Sequence, residues 1–140
     1  MLFERNMPDG DPDPGVVALV ARLREVAPHL LVSVDEEGGD LTRLDPVTGS
    51  VVPGSAGLGY VDHVRLTGRL AQALGARLAL AGVDLDTEPL SPVIGTRSFG
   101  SDPTTVARHV AAFVDGLQAR GWRPPPSTSR GTGRPPRTAT

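Results

Sequence analysis

Apolar positions recur along the first 120 residues at two distinct spacings. Val16, Leu19, Val20, Leu23 and Val26 fall three or four apart, with Arg22, Arg24 and Glu25 off their stripe, which predicts an amphipathic helix. Asp13 and Pro14 read as its N-cap and first turn, and Pro28 as its stop. Residues 30–34, LLVSV, form a short unbroken apolar run that fits a strand buried on both faces, as in a parallel sheet. Helical spacing resumes over residues 60–80 with Val64, Leu70, Leu74 and Leu78, and Gly82 is the expected C-cap. Gly68 and Gly75 inside that helix cost about 1 kcal/mol each relative to alanine, so close packing is expected there. A brief strand over residues 83–85 follows. A third helix then starts at Asp102-Pro103, turns Val106, Val110, Phe113, Val114 and Leu117 inward, and ends at Gly121. With residues 1–5, MLFER, as the end of a strand, the order is the strand–helix–strand rhythm of an α/β fold. Residues 45–59 read as a loop rich in Pro, Gly and Ser.

Composition narrows the picture. Residues 1–121 carry all 16 acids and 10 of the 14 arginines, a net charge of −6, which argues against nucleic acid as the main partner. No cysteine is present, so disulfides and thiolate metal sites are excluded, and no metal or cofactor is expected. No apolar run approaches the length of a membrane span and no signal peptide precedes the first strand, so a cytoplasmic product is the default expectation, although a longer parent could be secreted. Residues 122–140 hold five prolines, four arginines and no acid, the composition of a disordered basic tail.

Candidate chemistry concentrates in LLVSVDEEGGDLTR, residues 30–43. The strand ends in Asp35, Glu36 and Glu37, then Gly38, Gly39 and, eight residues after Asp35, Arg43. Acids at the carboxyl end of a parallel strand stand where α/β folds place their binding groups. An acidic turn after a buried strand is the plainer alternative.

These stretches resemble the N-terminal barrel of family 3 glycoside hydrolases, in its bacterial β-N-acetylhexosaminidase branch. The matching motifs are LFERN (2–6), VSVDEEGGDLTRL (32–44), LALAGVDLDTEP (78–89) and VIGTRSFGSDP (93–103), in the family's order and covering nearly all of residues 1–121. The resemblance implies a partial (β/α)8 barrel of about strands 2–4 with their helices. A flavodoxin-like parallel α/β domain would explain the rhythm but not the motifs. It further implies substrate-binding roles for Asp35, Arg43 and Arg97: the carboxylate would accept hydrogen bonds from sugar hydroxyls and the guanidinium groups would donate. Arg97 also reads as a loop-ordering arginine, and Glu36 or Glu37 as a solvated acid. His29, His63 and His109 match no family site and read as structural or exposed.

The pattern departs from the family in three places. The chain begins inside the family's second strand. Only three residues separate Pro89 from Val93, where the family carries a longer Asp- and Asn-containing loop. After Gly121 the expected Lys-His-Phe-Pro-Gly-His-Gly loop, with its catalytic histidine, is replaced by the basic tail, and the aspartate nucleophile would lie further on. Read one base back, the codons of residues 127–140 permit KHFPGHGATAEDSH, so the tail is compatible with a frameshift. The expectation is a glycosidase by family, acting on an N-acetylglucosaminide-type sugar, whose 140 residues contain no catalytic residue and are inactive alone. Self-association through exposed barrel edges is expected. A non-catalytic sugar-binding module and a gene remnant are the alternatives.

Overall fold

In the computed structural model, which describes residues 1–8, 12–86 and 95–119, burial alternates along the first strand. Val32 and Val34 are fully buried, Ser33 and Asp35 half-buried, and Leu31 exposed. β1 (Ser33–Val34) pairs in parallel with β2 (Leu85–Asp86), Ser33 opposite Leu85 and Val34 opposite Asp86. Leu2 bridges Val34 in parallel on the other side, donating its amide to Ser33 at 2.7 Å. Three parallel segments therefore lie side by side in chain order, each followed by helix, the arrangement of repeated strand–helix units.

The strand expected over residues 30–34 is shorter than its apolar run. Leu30 and Leu31 are 40% and 76% exposed, because the ladder begins only where Val32 accepts from the amides of Asp84 and Leu85. The expectation of burial on both faces holds for neither residue.

α1 (Pro12–Val26) packs through Val16 and Val20, whereas Val26, assigned to the same stripe, is 88% exposed on the last turn. Asp13 lies inside this helix rather than capping it, and its carboxylate accepts from Arg77 at 2.8 Å.

Residues 45–59 are not all loop. α2 (Ser55–Val61) ends at Asp62, which adopts a left-handed conformation (φ 45°, ψ 44°), and α3 (Val64–Leu80) begins after His63, whose Nδ1 accepts from the Leu66 amide. The single helix expected from residue 60 is therefore two. Asp is among the few side chains that tolerate the left-handed region, so the break falls where the sequence permits it.

α4 (Pro103–Gln118) is capped by Asp102, whose carboxylate takes the Thr105 amide and is held below the ordinary aspartate range by that bond. It presses against α3 at glycines. A Cβ on Gly75 would stand 2.9 Å from the Leu117 carbonyl, and one on Gly116 would overlap the Gly68 carbonyl. The close packing read from Gly68 and Gly75 is thus present. Phe113, Leu74, Leu78 and Val106 fill the space between these helices and the strands. Gly121, the expected helix stop, and residues 122–140, the expected disordered tail, lie outside the described residues.

Candidate functional site

Every side chain singled out after β1 depends on how the loop over residues 35–45 is held. Glu36 holds it. Its carboxylate is 1% exposed and accepts from the amides of Gly38 (3.2 Å), Arg43 (2.6 Å) and Leu44 (2.9 Å) and from the Thr42 hydroxyl (3.1 Å). A carboxylate has about four lone-pair positions, so Glu36 is saturated from inside the chain. Gly38 and Gly39 both take positive φ, 71° and 56°, and a Cβ on Gly39 would lie 2.5 Å from the Gly54 Cα, so only glycine fits where the loop meets the start of α2.

Glu37 is buried as well, at 3% exposure, and receives Arg97 through two parallel bonds: Nε to Oε2 at 2.7 Å and the terminal nitrogen to Oε1. The fork geometry suits guanidinium and carboxylate, and it ties the GTRSFG segment to the DEEGG loop. Neither acid is solvated. The expectation of a solvated Glu36 or Glu37 fails because each charge is matched by donors that a linear reading cannot place beside it.

Asp35 differs from both. Its side chain is 19% exposed, and Oδ2 stands 3.7 Å from an Arg43 terminal nitrogen, beyond hydrogen-bond range. Its Oδ1 and the Arg43 Nε are buried without a hydrogen-bond partner among the described residues. Burial, and after it the charge of Glu37, raises the Asp35 carboxyl above its ordinary value, against the pull of Arg43 and Arg97. Next to this cluster, Asp86 at the end of β2 is buried and accepts the Glu36 amide at 3.0 Å. Asp86 was not among the candidate site residues, although its place at a strand terminus is the same signal that picked out Asp35.

The structure brings Asp35, Arg43 and Arg97 to one end of the sheet: Asp35 beside Arg43, and Arg97 on the neighbouring Glu37. A groove between α3 and α4, lined by His63, Arg65, Arg69 and Asp115 among others, shares none of these residues. His29 is exposed, His63 is the α3 cap, and His109 is fully buried between Thr67 and Asp62.

Parallel strand–helix units with paired acids and arginines at the carboxyl ends of the strands define a domain of the α/β binding-site class. Residues 16–125 match the family described as glycosyl hydrolase family 3 N terminal domain, and the chain belongs to that family. The beta-hexosaminidase LpqI of Mycobacterium tuberculosis is 36% identical over 116 residues, covering 74% of this chain and 30% of that protein. A beta-hexosaminidase of Methylococcus capsulatus is 33% identical over 136 residues, covering 86% and 38%. Among solved structures, NagZ from Neisseria gonorrhoeae in complex with N-trifluoroacetyl-D-glucosamine superposes with a TM-score of 0.70 at 30% identity, over 86% of this chain and 38% of that one. The chain thus spans about a third of the length of the curated relatives it matches.

Proposed function

We propose that residues 1–121 form part of the sugar-binding wall of a β-N-acetylhexosaminidase-type glycoside hydrolase built on a (β/α)8 barrel. The observation that carries this reading is the pairing of a largely buried Asp35, with one oxygen unmatched among the described residues, and Arg43, with its Nε likewise unmatched. An acceptor and a donor left over at the end of a strand suit a sugar, whose hydroxyls supply both complements. Glu36 and Glu37 have their partners inside the chain and are the frame, with Asp35 and Arg43 as contact groups. Arg97, clamped by Glu37 at the same end of the sheet, is the third group of this wall. The names of the relatives point to an N-acetylglucosaminide.

Hydrolysis with retention needs a carboxylate nucleophile and an acid/base group to protonate the leaving oxygen. The resemblance places both on motifs other than those matched within residues 1–121, so these residues would contribute recognition to the reaction rather than its nucleophile or acid/base. No helix among the described residues is long and apolar enough to cross a membrane. A cytoplasmic location belongs to this proposal.

Titration of the labelled chain with N-acetylglucosamine, followed by chemical shifts, tests the reading. The expected result is perturbation centred on Asp35 and Arg43, lost in Asp35→Ala, with no release of product from an aryl N-acetyl-β-glucosaminide. Binding that survives Asp35→Ala, or its absence from the parent chain, would overturn it.

A further inference from the structure

His109 matches none of the expected site positions, yet it is fully buried and fully bonded. Its Nε2 lies 3.1 Å from Oδ1 of Asp62 and its Nδ1 2.8 Å from the Thr67 hydroxyl. A carboxylate only accepts, so Nε2 carries the proton, and the hydroxyl can serve either state of Nδ1. The imidazole is therefore pinned in orientation from α3 on one side and from the end of α2 on the other.

What it is pinned against is the Arg97 segment. The ring stacks on Phe99 with centroids 5.2 Å apart and planes 21° from parallel, and Phe99 also leans on Phe113. The opposite constraint comes from α2, where a Cβ on Gly59 would overlap the Phe99 carbonyl, so helix and segment touch backbone to backbone. Two residues before Phe99, Arg97 forks onto Glu37. At its other end α2 starts from Gly54, against Gly39 of the DEEGG loop. One short helix thus braces both motif loops, and its last turn is fastened at Asp62 by His109 and, on the exposed side, by Arg108 at 3.2 Å.

We propose that His109 is a positioning residue. By holding Asp62, Thr67 and the Phe99 ring together, it fixes the segment that delivers Arg97 to Glu37 and sets the distance between the two motif loops. Arg97 is the group displaced when His109 is lost.

The test uses the 140-residue chain labelled with 15N, with the Arg97 Nε–H signal assigned through Arg97→Lys. In His109→Ala the expected result is a shifted or exchange-broadened Arg97 Nε–H while the backbone amide pattern of α3 and α4 is retained. An unchanged Arg97 signal in the folded variant sinks the proposal. If His109→Ala does not fold, Asp62→Gly decides in the same way, because it removes a half-exposed carboxylate without opening the core and glycine accepts the left-handed backbone at this position. Asp62→Asn, which keeps an acceptor for Nε2, should restore the parent signal, and failure to do so contradicts the proposed bond. Affinity for N-acetylglucosamine should fall about tenfold alongside the Arg97 signal, as small displacements of binding groups commonly cause. That last readout rests on the sugar-site reading. A parent chain that binds no sugar, while its Arg97 signal still follows His109, removes the former reading and supports this one.

Discussion

At the scale of residues, three consecutive acids have three different fates. Glu36 is consumed by the loop it shapes. Glu36→Ala would leave three backbone amides and a hydroxyl without their acceptor, at a cost of about 3 kcal/mol, while Glu36→Gln, which turns an amide group toward one of those donors, should cost about 1–2 kcal/mol. Chemical denaturation of both variants checks the order. Asp35 is the opposite case. Its carboxyl is raised chiefly by burial, so the folded chain holds a proton that the unfolded chain releases, and stability falls as pH rises through the window just above the ordinary aspartate value of 3.8. Asp35→Asn should therefore melt higher than the parent at neutral pH and show no advantage below that window, as calorimetry can read. The same variant should lose the sugar response. In the parent, sugar affinity should weaken on acidification at a higher pH than an ordinary aspartate would give.

At the scale of elements, α2 separates what a linear pattern shows from what packing creates. Seven residues, two of them glycine, provide too little periodicity to announce a separate helix, and residues 55–59 read as loop. The helix exists because its ends are held: Gly54 against Gly39, Gly59 against Phe99, and Asp62 against His109 and Arg108. Gly59→Ala should cost about 3 kcal/mol, since the obstruction is backbone and cannot turn away. Thermal unfolding measures this directly. α3 and α4, by contrast, were legible almost throughout. Their apolar stripes are long, and the glycines that break propensity are the points of closest approach. The strands were legible in position and too long in extent, because an apolar run says that residues are hydrophobic and not where the ladder begins.

At the scale of the whole molecule, the two ends of the sheet have opposite characters. The carboxyl end gathers Asp35, Glu36, Glu37 and Asp86 with Arg43 and Arg97. At the amino end, Arg24 bonds to Asp84 and to the Gly82 carbonyl, and Asp84 accepts the Val32 amide. Within two residues of that clamp along the chain, Val26, Leu31 and Leu80 are 88%, 76% and 81% exposed. Exposed apolar side chains of this size favour association of the chain with itself. Sedimentation should show a concentration-dependent increase in mass, reduced in a Leu31→Glu, Leu80→Glu double variant. A monomer at all concentrations would count against association through this end.

Helix stripes, two strand positions, the acidic strand terminus and the family motifs follow from sequence alone, because periodicity and motif spacing are local properties of the chain. Only the tertiary structure decided that Glu36 and Glu37 are internal ligands of the loop and of Arg97, while one oxygen of Asp35 has no hydrogen-bond partner among the described residues. It also decided that a glycine-containing stretch becomes a brace and that His109 stands behind the Arg97 segment. The donors to Glu36 come from the loop itself, but Arg97 reaches Glu37 across 60 residues, and His109 reaches Thr67 and Asp62 across 42 and 47. An acid's fate is set by what reaches it in space, and three adjacent acids with similar intrinsic chemistry carry no mark of which will be reached.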